Sequence, residues 1–300
     1  MLEEKITTYA DYLKSIGETV VEINGIPWMK YNSALISATA MPVFVDVSYE
    51  NAIRALNKTG ALFFRYNTRP NSENRDLESK NWWQVVCRQY DISSVSANTR
   101  SKIHRGLKRM TIRLEDPNWL AENGYHCHVN SYARYKNVKP QTKKAFQQFI
   151  KSLAGLPFFE IWVCSNNTEL LGYIICLRED NGVFMHTIDV SPAGLHDYAA
   201  YAMIHTLLEH YINQQGIPVT NGSRSISHET HMQDFLTKFG FEREYSKLNV
   251  VYRRDIQFIV RILYPFRKLL RHLVLLPFIH KVSAALFQEE IVRQQRGTKI

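Results

Sequence analysis

A histidine and an aspartate near the middle of the chain have the residue types of an acid–base pair. His186 and Asp189 lie in a β-rich run, 182–190, that predicts a strand. Residues three apart on a regular strand point to opposite faces, so both face one cleft only if Asp189 sits on a bulge. Histidine titrates near neutral pH and can take the proton of an ammonium group. We therefore predict that one of the two is a general base; a hydrogen-bonded core histidine and a helix-capping aspartate are the alternatives.

A second polar cluster begins after the next predicted strand, 217–220. It contains Arg224, Ser225, His228 and Glu229, at the carboxyl end of a strand, where open α/β sheets bind their ligands. A guanidinium binds a carboxylate or phosphate through two parallel hydrogen bonds. We predict substrate contacts from Arg224, Ser225 and His228, with a surface loop as the structural alternative.

The densest basic segment of the first half, 100–109, follows a helix-capping sequence at 96–99. Such a run of charges is usually a solvated helix face. The functional interpretation is a cationic lip over an anionic donor or acceptor, with Arg105 as a substrate-binding residue.

The elements that must position these residues follow from the period of the apolar positions. The segment 158–254 predicts three antiparallel strands, a helix, a buried strand, a second helix and a final pair of strands. In chain order, the three strands are expected at 158–165, 169–178 and 182–190. A helix that contains Tyr201 and Tyr211 and ends near Gly216 follows. The buried strand is expected at 217–220, the second helix at 229–239, and the last strands at 241–245 and 248–253.

The first half also alternates strands and helices, as in a mixed α/β sheet. Strands are expected at 19–28 around an Asn24-Gly25 turn, 43–47, 61–66 and 81–86, helices at 49–58 and 140–153, an exposed loop at 67–80 and an irregular stretch at 116–135.

Bulk properties narrow the choice of partner and compartment. A formal charge of +9 over 300 residues favours an anionic partner, such as a nucleotide cofactor, a nucleic acid or an acidic membrane face. The four cysteines lack CxxC spacing, which favours a reducing compartment. Neither a secretory signal nor a run of about 18 apolar residues is evident, so we expect a cytoplasmic protein. His126-Cys127-His128 has no evident fourth ligand, and we expect no metal.

The last 45 residues, 256–300, change in character. An apolar stripe at helical spacing is surrounded by arginine and lysine and interrupted at Pro265 and Pro277. A basic amphipathic helix can lie in a membrane interface, so 256–285 predicts membrane-surface contact, placing the protein on the inner face of the membrane. The alternative is a helix packed across the rest of the protein.

Two motifs link this order of elements to a known family. Val190-Ser191-Pro192 stands at a strand-to-helix junction, and Phe-Leu-Thr-Lys-Phe-Gly-Phe, 235–241, at a helix-to-strand ending. Together they resemble the second half of a GNAT-type acyltransferase domain, and most of all the FemABX-like branch, in which two such domains are fused. The resemblance implies an α/β (α+β) fold with two GNAT-like mixed-sheet halves, 1–110 and 111–255, the second better formed, and a helical extension, 256–300.

The resemblance also implies a reaction. GNAT and FemABX-like enzymes move an acyl group to an amine by direct attack, without a covalent enzyme intermediate. The donor would be acyl-CoA, or an aminoacyl-tRNA as in several FemABX-like relatives, and the acceptor a small-molecule or cell-envelope amine. Tyr252 is then a candidate for the acid that protonates a leaving thiolate, with core packing as the alternative.

In GNAT enzymes the donor pyrophosphate binds at a helix N-terminus, which this chain would place after Pro192. The residues expected to contact the donor are Val190, Gly194, Tyr198, Ala200 and Glu229. Tyr198 stands where the family has a glycine, which hinders the approach of a pyrophosphate to the backbone. This departure supports a rival hypothesis, an inactive GNAT fold that serves as a binding or membrane-scaffold module. A nucleic-acid-binding protein that uses 100–109 is another alternative.

Overall fold

The computed structural model describes residues 6–70, 81–134, 138–226, 231–272 and 277–296. Contacts divide the chain into two compact units. The first contains 1–85, 223–233 and 243–300, and the second contains 86–222 and 234–242. Each unit therefore combines segments that are distant in the sequence.

A five-stranded sheet forms the frame of the first unit. In spatial order its strands are β1 (Val20–Ile23), β2 (Ile26–Tyr31), β3 (Ala34–Ser37), β4 (Phe63–Thr68) and β12 (Lys247–Tyr252). β1 and β2 form the predicted hairpin, because Asn24 and Gly25 adopt φ values of 54° and 72°, as a two-residue type I′ turn requires. β3 and β4 are parallel and are connected through α2 (Tyr49–Thr59), which ends at Gly60.

Both faces of this sheet are covered by apolar side chains. On one face Trp28, Leu35 and Phe64 pack with Leu56 of α2. On the other, the alternating residues of β12 pack with side chains from the C-terminal helices. These helices are α10 (Arg254–Leu263), α11 (Arg267–His272) and α12 (Pro277–Gln295). The two prolines interrupt the helical tail as predicted, since Pro265 lies in a 3₁₀ turn and Pro277 begins α12. A further short helix, α1 (Tyr9–Ser15), precedes β1.

The second sheet has seven strands. In spatial order they are β11 (Glu242–Tyr245), β5 (Trp83–Cys87), β10 (Val219–Ser223), β9 (Gly182–Val190), β8 (Leu170–Glu179), β7 (Phe159–Ser165) and β6 (Thr111–Glu115). The predicted antiparallel meander is β7, β8 and β9, and β10 runs parallel to β9. This order and direction confirm the mixed α/β fold class.

The second unit also contains the helices that surround the candidate site. They are α3 (Ala97–Arg109), α4 (Pro117–Asn123), α5 (Tyr125–Ser131), α6 (Lys143–Lys151), α7 (Pro192–His196) and α8 (Ala199–Leu208). The next helix, α9 (Met232–Leu236), begins in the first unit and ends in the second. Ser96 caps α3 and Thr142 caps α6, each through a hydrogen bond to a first-turn amide. Phe235 and Phe239 of the quoted motif pack on Tyr201 of α8.

Several local expectations were wrong. The stretch 116–135, which is described up to residue 134, is not irregular there, because Asp116 caps α4 with Pro117 in its first turn, and α5 follows. The segment 43–47 forms a single bridge, Phe44 to Asn67, instead of a strand. β3 and β6 are strands that the apolar period did not indicate. The two final strands do not pair, since β11 belongs to the seven-stranded sheet and β12 to the five-stranded sheet.

Candidate active site at the bulge of β9

A β-bulge interrupts β9 at His186. In the pairing of β8 with β9, Ile175 lies opposite Thr187 and Cys176 lies opposite Met185, so His186 is the extra residue. A bulge redirects the side chains around it, which is why bulges are common beside active sites. The bulge therefore lies at His186, one of the two predicted bases, rather than at Asp189.

The register after the bulge sets which side chains share a face. Tyr173 lies opposite Asp189, and Ile175 opposite Thr187, so Asp189 and Thr187 are on one face of the sheet. His186 contacts the ring of Phe184, which the register places on this same face. The bulge thus brings His186 and Asp189 to one side, where a regular strand would have separated them.

Near the bulge, β9 and β10 separate. Their parallel pairing is limited to Val219 with Val183 and Thr220 with Phe184. Beyond it, the Asn221 side-chain amide donates to the Met185 carbonyl at 3.3 Å, in place of a continued ladder. Gly222 has a φ of 78°, and a Cβ there would lie 3.2 Å from the Phe184 ring. The pairing between these strands therefore ends just before His186.

The environment of His186 suits a general base. Its ring stacks on Phe149 of α6 at 6.3 Å and meets the edge of Phe184 at 6.0 Å. Nδ1 lies 3.0 Å from the Thr187 hydroxyl, and among the described residues Nε2 has no hydrogen-bond partner. The side chain keeps contact with solvent, yet desolvation by its surroundings lowers its pKa, so the imidazole is neutral at neutral pH.

Asp189 belongs to a buried hydrogen-bonded cluster. Its Oδ2 accepts from the Tyr173 hydroxyl at 2.5 Å and lies 2.8 Å from Nδ1 of His128 on α5. Burial, followed by the neighbouring Asp189 carboxylate, raises the pKa of Tyr173 well above its ordinary value, so this hydroxyl keeps its proton. Nε2 of His128 is buried and has no hydrogen-bond partner in the described part of the chain. Oδ2 of Asp189 is thus already engaged by two side chains of the protein, which makes Asp189 a weaker candidate base than His186.

The predicted donor site begins where β9 leads into α7. Val190 is buried, and Ser191 accepts a hydrogen bond from the Gly194 amide at 3.1 Å. A Cβ at Gly194 would lie 2.6 Å from the Leu171 carbonyl oxygen, so only glycine allows this close packing against β8. Gly194 therefore has a packing role in addition to its predicted contact with the donor.

Tyr198 adopts a backbone conformation that glycine would adopt more easily. It precedes α8 with φ and ψ of 68° and 25°, in the left-handed region. The following amides, of Ala199 and Ala200, are the first of α8, and those of Tyr201 and Ala202 donate back to the Tyr198 carbonyl. The backbone thus has a left-handed conformation at the position where GNAT enzymes have a glycine. Tyr198 differs from that glycine in carrying a large side chain at this point.

The basic helix α3 lies against the start of α8. A Cβ on Gly106 would come within 2.8 Å of the Tyr198 carbonyl oxygen, so the two helices touch there. Arg105 lies over the Tyr198 ring at 5.8 Å and Lys102 over the Tyr201 ring at 5.2 Å. Arg109 pairs with Asp197 at 2.7 Å, which offsets that acidic charge. Cationic side chains therefore lie beside the predicted donor site.

The remaining predicted residues lie in the first unit or outside the described residues. Arg224 donates to the Asn81 carbonyl at 2.8 Å and lies 4.6 Å above the Trp83 ring, so its guanidinium is held by its own unit. Ser225 follows it and is partly exposed. Tyr252 is buried in the core, and burial raises its pKa, a setting that suits packing better than proton transfer. His228 and Glu229 lie outside the described residues.

Within the described part of the chain, no group of three or more His, Cys, Asp or Glu side chains is arranged to hold a metal ion. The side chains of the predicted His-Cys-His run have other surroundings: His126 lies near Asn130, and His128 bonds to Asp189.

Sequence reasoning missed three residues of the site. His128, Tyr173 and Phe149 reach His186 or Asp189 only through the register of β8 and β9 and the packing of α5 and α6. The position of Tyr173 could have been estimated from the turn at 179–182, because a hairpin turn sets which residues of β8 and β9 lie opposite each other. That estimate would have been wrong by one residue, the residue that the bulge adds to β9.

Comparison with solved structures identifies proteins that share this fold. FemX is among them, which confirms the FemABX-like fold that the motifs predicted. A structure of FemX matches the chain with a TM-score of 0.56 at 10% identity, over 84% of this chain and 92% of that one. The C-terminal domain of a proposed lysylphosphatidylglycerol synthetase from Agrobacterium fabrum matches with a TM-score of 0.54 at 12% identity, over 85% and 91%.

A conserved protein of unknown function from Bacteroides thetaiotaomicron has a TM-score of 0.52 at 13% identity, over 82% of this chain and 90% of its own. Comparisons with family models and with curated sequences gave no match. At these identities the likeness shows the fold alone.

Proposed function

We propose that the protein transfers an acyl or aminoacyl group from an activated donor to an amine, with His186 as the general base. The observation that carries this proposal is the bulge at His186. It presents a neutral imidazole, whose Nε2 is unbonded in the segments that the structure describes, where β9 and β10 separate. A positioned base of this kind accelerates proton transfer by about 10²–10⁴-fold.

In the proposed reaction the acceptor nitrogen attacks the carbonyl carbon of the donor. A C–N bond forms, and the C–S bond of a thioester or the C–O bond of an aminoacyl ester breaks. Nε2 of His186 takes the proton that the nitrogen loses, directly or through water, and the leaving thiolate or alkoxide takes up a proton. No covalent enzyme intermediate is required, and we assign no role in proton transfer to Tyr252.

The donor is proposed to bind through its phosphates at the start of α8. The Ala199 and Ala200 amides, the α8 dipole and the cations of Lys102 and Arg105 attract an anion. The Tyr198 side chain hinders the standard binding of coenzyme A. Both acyl-CoA and aminoacyl-tRNA carry phosphates that fit this site, so a binding experiment is needed to tell which of the two is the donor.

Thermal or chemical unfolding in the presence of each donor tests this site. A donor at 100 times its dissociation constant raises the free energy of unfolding by about 2.7 kcal/mol. We expect stabilisation by coenzyme A or by aminoacyl-tRNA, and about tenfold weaker binding of that donor by Arg105→Gln, since a charged hydrogen bond contributes about 1.5 kcal/mol. Lys108→Gln, on the same helix, is the control. If neither donor stabilises the protein, the transferase proposal is wrong.

His186 and the start of α8 both fall in 111–255, and we propose that this segment carries the chemistry. We also propose a cytoplasmic location, which the four free, buried cysteines support. In the described residues, no helix is long and apolar enough to cross a membrane.

A further inference from the structure

We propose that α10 and α11 form a surface that binds anionic lipid bilayers. This inference is independent of the proposed reaction. It starts from an apolar stripe on the outside of these helices, in side chains with exposed fractions between 47% and 66%: Phe258, Ile259, Ile262, Phe266 and Leu269. In α10, Phe258 and Ile259 lie four and three residues before Ile262, which places these three on one helical face. Phe266, in the 3₁₀ turn that follows, and Leu269 of α11 continue the stripe at spacings of four and three.

The opposite face of the same helices is fixed in the core. Val260 and Tyr264 are buried in the cluster that contains Trp82 and Leu248, and Ile256 packs against it. The helices therefore have two apolar faces, of which one is already covered. Rotation to bury the outer stripe would expose the inner one, so the stripe needs a partner outside this part of the chain.

Charge identifies the partner. Arg254, Arg261 and Lys268 are exposed and spaced seven apart, which places them in a row along one flank of the stripe. Two other cations nearby are already paired, Arg253 with Asp255 at 2.6 Å and the buried Arg267 with Glu290 at 3.5 Å, so the row of three supplies the exposed charge beside the stripe. An apolar face flanked by cations is the pattern of a helix that lies in the interface of an anionic membrane.

A second copy of the chain fits this surface less well. A second copy of the same surface would offer the cationic row no free acidic partner, because Asp255, the one acidic residue between 253 and 272, pairs with Arg253. A bilayer instead offers acyl chains to the stripe and acidic headgroups to the row. Each cation near such a surface increases partitioning about fivefold, equivalent to about 1 kcal/mol.

Vesicle co-sedimentation of the full chain tests the proposal. The probes are vesicles of phosphatidylcholine alone and of equal parts phosphatidylcholine and phosphatidylglycerol. We expect binding to the anionic vesicles that weakens with salt, and at least about tenfold weaker binding for Phe258→Ser/Ile262→Ser/Phe266→Ser. Arg254→Gln/Arg261→Gln/Lys268→Gln should lose roughly fivefold per charge.

Matched controls remove the same chemistry elsewhere in the first unit. Ile16→Ser/Tyr31→Ser/Tyr49→Ser replaces apolar residues with exposed fractions of 51% to 56%. Lys30→Gln/Arg54→Gln/Lys58→Gln removes the same charge from exposed positions. Both controls should bind vesicles like the unaltered chain, and all variants should keep its circular dichroism spectrum and urea midpoint.

Three results would overturn the inference. The first is no binding of the unaltered chain to anionic vesicles. The second is an equal loss of vesicle binding in the control variants and in the variants of α10 and α11. The third is a dimer in sedimentation velocity that the apolar tail variant dissociates, without any vesicle binding, since this would make the stripe a contact between two copies.

Discussion

The pKa of His186 determines at which pH the proposed base is active. Desolvation lowers this pKa from its ordinary value of about 6.5. The base must be neutral, so activity should fall as pH drops through the lowered pKa, with an acid limb below about pH 6.5. His186→Gln should lower kcat/KM by about 10²–10⁴-fold and remove this limb, while His104→Gln, an exposed histidine of α3, should change neither. An acid limb above pH 6.5 would contradict the assignment, as would an active His186→Gln.

The lowered pKa of His186 also makes the free energy of unfolding depend on pH. Because its pKa is lower in the folded than in the unfolded chain, the unfolded chain binds more protons as pH falls below about 6.5. The contribution of the neutral ring to the free energy of unfolding is therefore complete above that pH and is lost as pH falls through the lowered folded value. Comparing urea midpoints of the unaltered chain and His186→Gln across this range measures the difference.

Asp189 should affect stability more than proton transfer. Asp189→Asn removes the carboxylate shared by Tyr173 and His128, and leaving one buried group without its partner should lower the free energy of unfolding by about 1–3 kcal/mol. Urea unfolding measures this loss. The acid limb of kcat/KM should stay in place, because it belongs to His186. Tyr173→Phe, which removes a single donor, should cost less. A shifted limb with unchanged stability would make Asp189 the base.

For single residues, the sequence indicated which side chains could act in the reaction better than it indicated how these side chains are arranged. His186 stood out because imidazole titrates near neutral pH and because it lies in a predicted strand, three residues before Asp189. Its position on a bulge could not be predicted, because one extra residue leaves no mark in a period-two pattern of nine residues. The partners of Asp189 were hidden for the same reason, since its pairing with Tyr173 depends on the bulge.

Among the elements, the contact between α3 and α8 has the clearest consequence. Gly106→Ala would normally favour a helix by about 1 kcal/mol. Here the added Cβ meets the Tyr198 carbonyl oxygen at 2.8 Å and the Ala202 Cβ at 2.9 Å, so the helices must separate. We expect a net loss of about 1–3 kcal/mol in the free energy of unfolding, measured with urea, and weaker donor binding.

His104→Ala, on the exposed side of α3, is the control for Gly106→Ala and should leave the free energy of unfolding within about 0.5 kcal/mol. A Gly106→Ala protein that is as stable as this control would show that α3 does not lie against α8 as described.

Elements with a strong apolar period were predictable, and short capped ones were not. The strands of the meander span seven to ten residues, enough for a period of two, and α8 spans ten, enough for a period of 3.6. α4 and α5 have seven residues each, too few for a clear period, and their cap at Asp116 was the only local signal.

For the whole molecule, the sequence could not show that strands adjacent in the chain belong to different sheets. β11 and β12 are separated by Ser246 alone, yet β12 pairs with β4, about 180 residues away, over six register positions. Two strands joined by a short connection usually pair with each other. Here β12 pairs with the distant β4 instead of β11, because alternate residues of β12 are buried against the C-terminal helices.

The C-terminal helix α12 should therefore be essential to the first unit. Leu286 is buried with Trp82, Leu248 and Tyr252, so Leu286→Ala leaves a cavity and should lower the free energy of unfolding by about 2–5 kcal/mol. Hydrogen exchange should show reduced protection in β4 and β12, the strands that carry this cluster. Phe258→Ala, which truncates an exposed side chain, should change the free energy of unfolding by less than about 0.5 kcal/mol. Equal stability of the two variants, with unchanged protection in β12, would show that α12 adds little to this core.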